Sequence, residues 1–107
     1  MEKILTVDDF NKFAQANDGV LRGVKVGAQW CSPCRLLEQT LTELLPIDNV
    51  TFAEVDMDEA DEEIAVANNI RNIPTVLFFK NGLQIDRFTG MIGREALENK
   101  IKENLAK

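Results

Sequence analysis

Val20-Leu21-Arg22-Gly23-Val24-Lys25-Val26-Gly27-Ala28-Gln29-Trp30-Cys31-Ser32-Pro33-Cys34-Arg35 is the stretch on which the fold turns. Val20 to Ala28 is dominated by Val and Leu, interrupted by Arg22 and Lys25, and reads as a strand. Both cysteines of the chain follow at once, in a Cys-x-x-Cys pair. Pro33 suits an early helical position, where its missing N–H costs little. Leu37, Leu41 and Leu44 then recur at helical spacing, with Leu36 and Leu45 widening the stripe. A strand therefore runs into a helix with the cysteines at the join. There the first thiol lies near unpaired N–H groups and the positive end of the helix dipole, which favours the thiolate that begins disulfide exchange.

Outward from this join the chain alternates. Ile4-Leu5 is a short apolar opening, and Thr6 and Asp8 offer N-cap oxygens to a helix carrying Phe10, Phe13 and Ala14. Asn17-Asp18-Gly19 is a turn, and Pro46 ends the helix after the cysteines. Val50 to Val55 is a third strand. Asp56-Met57-Asp58 leads into an acidic helix with Ile64 and Ala67 on its inner face. Pro74 introduces the β-branched and aromatic run Thr75 to Phe79, which Asn81-Gly82 pairs with Leu83 to Thr89 as a hairpin. A last helix places Leu97, Ile101 and Leu105 on one stripe, with Glu98 and Lys102 paired on its wet side. The pattern β-α-β-α-β-α-β-β-α predicts an α/β sandwich. Its sheet is expected to be mainly parallel, with an antiparallel edge from the hairpin.

The 107 residues suit one domain, residues 1–107, long enough to bury a core. A net charge of −6 argues against a nucleic-acid surface. No apolar run approaches the ~20 residues of a membrane span, and the N-terminus turns acidic before a signal-peptide core. A cytoplasmic protein is the expectation, and in that reducing compartment a lone Cys-x-x-Cys points to redox work more than to a staple. Zinc wants four ligands, and with two cysteines and no histidine the chain offers too few.

Ala28 to Arg35, Val55-Asp56-Met57-Asp58, Ile70 to Thr75, Phe79-Lys80-Asn81-Gly82 and Gly90 together, in this order and spacing, resemble the thioredoxin family over nearly the whole chain. The resemblance implies a central mixed five-stranded sheet in the order 1-3-2-4-5, flanked by four helices. It implies that Cys31 attacks a protein disulfide and that Cys34, more buried, resolves the mixed disulfide. An NADPH-linked thioredoxin reductase would then restore the dithiol, with no bound cofactor or metal and a monomeric carrier. The Ile73–Pro74 bond would be cis and face the cysteines, so that Trp30, Ile73, Pro74 and Gly90 form a shallow groove for an extended peptide.

The chain also departs from the family. Lys25 stands where a buried aspartate is usual, and Glu54 lies on the neighbouring strand where many members have lysine. Two readings follow: a buried pair of reversed polarity that tunes proton transfer at Cys34, or a Lys25 that snorkels to water beside an exposed Glu54. The substitution also keeps open a binding or assembly module whose redox activity is secondary. An oxidase or isomerase would need an oxidising compartment. Gln39 replaces a helix-kinking proline, Ser32 a glycine, and Arg35 a frequent lysine. Val26 and Gly27 replace bulkier residues, which predicts looser packing under Trp30.

Overall fold

A computed structural model describes all 107 residues. The strands are β1 (Glu2–Lys3), β2 (Leu21–Gly27), β3 (Val50–Asp56), β4 (Thr75–Lys80) and β5 (Leu83–Thr89). The helices are α1 (Val7–Ala14), α2 (Ser32–Leu44), α3 (Glu62–Ala67) and α4 (Arg94–Leu105). They form one five-stranded sheet in the order β1-β3-β2-β4-β5, with helices on both faces.

The sheet is more evenly mixed than the alternating pattern suggested. β3 runs parallel to β1 and β2, but β4 runs antiparallel to β2 as well as to β5. Through α3 and the irregular residues before Pro74 the chain returns to the sheet beside β2 in the opposite direction, so the β3–β4 connection is not a parallel crossover. At the hairpin, Asn81 and Gly82 both hold positive φ, 52° and 81°, as a two-residue primed turn requires. The Asn81 side chain also accepts the Gly19 N–H at 2.8 Å, tying two turns together.

Alternation along β2 divides the core in two. Val24 and Val26 face α1 and α3, and pack with Phe10, Ala53, Val55, Ile64, Leu77 and Phe79. Leu21 faces α2 and α4, with Leu37, Leu41, Phe52, Val76, Phe78, Leu97 and Ile101. Each large side chain so buried contributes about 1.5–3 kcal/mol. An edge-to-face aromatic pair sits in each half, Phe10–Phe79 and Phe52–Phe78, at 5.8 and 6.0 Å. β4, like β2, is covered on both faces, with Thr75 to Phe79 all buried.

Several local expectations shift. β1 is Glu2–Lys3, and Ile4 prolongs its pairing through an N–H donated to the Glu54 carbonyl at 2.9 Å. Thr6 is the N-cap of α1, its hydroxyl accepting the Asp9 N–H at 3.1 Å. Asp8 lies inside the first turn and pairs with Lys12. Leu36 is exposed, because it falls on the outer side of the Cys34-Leu37-Leu41 stripe. On α3 the buried partner of Ile64 is Ala65, and Ala67 is exposed: so short a helix lies on the sheet by one turn only. Leu45–Pro46, like Ile73–Pro74, is a cis peptide. No helix is long and apolar enough to cross a membrane.

Candidate active site

The join between β2 and α2 builds the site from backbone upward. Cys31 is the N-cap of α2, extended at φ −91° and ψ 107°, with Pro33 in the first turn. Its Sγ accepts the Cys34 N–H at 3.3 Å, so the sulfur itself satisfies one of the donors that a helix start leaves unpaired. Cys31 and Cys34 are joined by a disulfide, with Cα atoms 5.3 Å apart. Both are buried, Cys31 with 7 % of its surface exposed and Cys34 with 2 %. The Arg35 guanidinium reaches back to donate to the Gln29 carbonyl and, at 3.3 Å, to Ser32 Oγ. It thus bridges both flanks of Cys31.

The expected groove residues converge on this join. Ile73 packs against Ala28, Cys31 and Cys34, and its bond to the buried Pro74 is cis, as the resemblance implied. The Pro74 carbonyl accepts the Gly90 N–H at 2.8 Å, which holds the end of β5 beside that loop. Gly90 has φ +90°, a region L side chains avoid, and the space where a side chain would stand is empty. Trp30 is 70 % exposed and is anchored by its indole N–H, which donates to Asp58 Oδ2 at 2.8 Å. Asp58 was visible only as part of a motif. An indole donor at a solvent boundary needs an acceptor, and that need was the signal available.

Gly27 has a more specific part than loose packing. A Cβ placed there would lie 2.9 Å from Cys34 Sγ, and no atom of Trp30 would be within 4 Å. The absent side chain admits the second sulfur against the sheet.

Beneath the cysteines, Lys25 is buried, with 7 % of its side chain exposed. It stands opposite Glu54 in the β2–β3 register, and its Nζ lies 3.6 Å from Glu54 Oε2. The Nζ is also 3.6 Å from Oε2 of Glu38, a residue the sequence reading did not single out. Glu38 follows Cys34 by four positions on α2, hence on the same helix face. That spacing was legible in the sequence, but the sheet beneath it was not. Lys25, Gly27, Cys34, Glu38 and Glu54 line one open cavity of about 590 Å³. Of the two readings of Lys25, the buried pair matches this geometry, with a second carboxylate added.

The thioredoxin family profile matches residues 2–103. The chain belongs to the thioredoxin family. It is 33% identical to the thioredoxin of Coprinus comatus over 99% of both chains. It is also 33% identical to that of Chlamydia pneumoniae, over 97% of this chain and 99% of the relative. The X-ray structure of Fasciola hepatica thioredoxin superposes with a TM-score of 0.87 at 35% identity, covering 97% of this chain and 99% of that one. With its Cys31–Cys34 pair in place, this member of the family is a thiol-disulfide oxidoreductase.

Proposed function

We propose that the chain works as one domain, a monomeric cytoplasmic electron carrier that reduces protein disulfides and is recharged by an NADPH-linked thioredoxin reductase. The observation that carries this reading is the Cys31–Cys34 pair capping α2. A reducing compartment is where such a dithiol serves as a reductant in redox homeostasis, and a net charge of −6 disfavours self-association. Cys31, at the helix start, is the nucleophile; Cys34 resolves. Trp30, Ile73, Pro74 and Gly90 bind an extended substrate segment, with the Ile73 backbone pairing to it.

Lys25 and Glu54 tune the proton chemistry of Cys34. A cation beneath the sulfur favours its thiolate, and a carboxylate opposes it. Lys25→Ala is therefore expected to move the pH midpoint of Cys34 deprotonation upward, and Glu54→Gln to move it downward. Thiolate absorbance against pH, with disulfide reduction followed in parallel, measures both. Profiles that overlay the parent's would remove the pair from the mechanism.

The overall reading is tested by coupling NADPH oxidation, through a thioredoxin reductase, to reduction of a disulfide-bonded protein. Turnover should vanish in Cys31→Ser, and Cys34→Ser should accumulate a mixed disulfide at Cys31. Turnover that persists without either thiol would overturn it.

A further inference from the structure

Resolution of a mixed disulfide requires Cys34 to lose a proton, and Cys34, with 2 % of its surface exposed, can pass it on only through the cavity it lines. The groups around it differ in what they can do with that proton. Lys25, as an ammonium, has no lone pair to accept one. Glu54 is 19 % exposed and fixed on the sheet. Arg35 is engaged with Gln29 and Ser32, while Lys3 and Glu59 pair with each other at 3.5 Å. Asp56, the remaining charge on the cavity wall, ends β3 and accepts the Asp58 N–H at 2.9 Å. Glu38 alone in the cluster combines contact with Lys25, a place one turn from Cys34 on its own helix face, and a side chain 46 % exposed.

We propose that Glu38 carries the Cys34 proton between the cavity and bulk water. This rests on Cys34 acting as the resolving thiol. In the step, the Cys34 thiol gives its proton to the Glu38 carboxylate, across one water in the shared cavity. The Cys34 thiolate attacks Cys31 Sγ, forming the Cys31–Cys34 bond and breaking the bond from Cys31 to the substrate sulfur, which leaves as a thiolate. The substrate disulfide gains two electrons and the Cys31/Cys34 dithiol loses two. Glu38 then releases the proton to solvent and returns to its charged pairing with Lys25. Lys25 has a positioning role, holding the carboxylate over the cavity.

The sign of the effect separates proton carriage from mere charge. Removing a negative charge near Cys34 would favour its thiolate and speed resolution, whereas removing a proton carrier slows it. The experiment is single-turnover release of thionitrobenzoate from a Cys31 mixed disulfide, followed by absorbance. Glu38→Gln should slow release about tenfold or more at neutral pH, since positioned proton transfer contributes ~10²–10⁴. Acetate, small enough for a 590 Å³ cavity, should restore the rate of Glu38→Gln without accelerating the parent, and Glu38→Asp should retain most of it. A Glu38→Gln rate equal to or above the parent's overturns the proposal, as does a loss that acetate does not repair. Failure of the parent itself to release thionitrobenzoate would instead overturn the resolving role of Cys34.

Discussion

Position 27 shows how little space the redox chemistry leaves to the side chain. A methyl group on Gly27 would press on Cys34 Sγ at 2.9 Å, closer than real Cβ atoms come. That sulfur is not the end of a flexible chain: α2 and the bond to Cys31 hold it. Glycine-to-alanine exchange within a strand gains about 0.5–1 kcal/mol from the backbone, but overpacking costs about 1–3 kcal/mol. Gly27→Ala is therefore expected to lower the urea unfolding midpoint and to slow resolution by Cys34, the overpacking outweighing the propensity. At this scale the sequence was most legible where one residue's chemistry sufficed. Cys31, Cys34 and the cis Ile73–Pro74 bond stand where the motifs put them. Glu38 was missed because its meaning depends on Lys25, a residue on another element that no local pattern brings beside it.

Elements were legible wherever periodicity was long. The Leu37-Leu41 and Leu97-Ile101 stripes and the Asn81-Gly82 hairpin carry several agreeing signals each. α3 gave its inner face wrongly: helical spacing places Ala67 nearer the Ile64 side than Ala65, but in a six-residue helix the tilt against the sheet, not the period, decides what is buried. The direction of β4 was equally hidden, because hydrophobic runs carry no polarity. Where β5 meets α4, Asp86 offers a measurable coupling between elements. Burial alone would push its carboxyl up, but hydrogen bonds from Asn104, Lys100 and the Arg87 N–H, with the Lys100 charge, outweigh that and leave it below the ordinary carboxylate value. A lowered folded-state value means that the contribution is fully present above the unfolded carboxylate pKa, about 3.9, and fades as pH falls through the folded value. Unfolding free energies of the parent and of Asp86→Ala should accordingly differ most above about pH 5 and converge in stronger acid.

For the molecule as a whole, the shared sheet joins both halves of the core, since β2, β3 and β4 contribute side chains to each. Neither half can lose its packing while the other keeps an intact wall. A single cooperative transition is expected, with calorimetric and van't Hoff enthalpies equal, near 0.7 kcal/mol per residue or about 75 kcal/mol. A van't Hoff value well below the calorimetric one would mean that the two layers melt separately. Such a melt should be followed by circular dichroism, because the chain's own light comes from elsewhere. It has one tryptophan and no tyrosine, and that single strong fluorophore stands in solvent at the rim of the redox site, steadied by Asp58. Its emission would change modestly when the core dissolves, and most when something covers the groove. Trp30 thus gives this oxidoreductase an optical gauge of its own encounters, readable without a label.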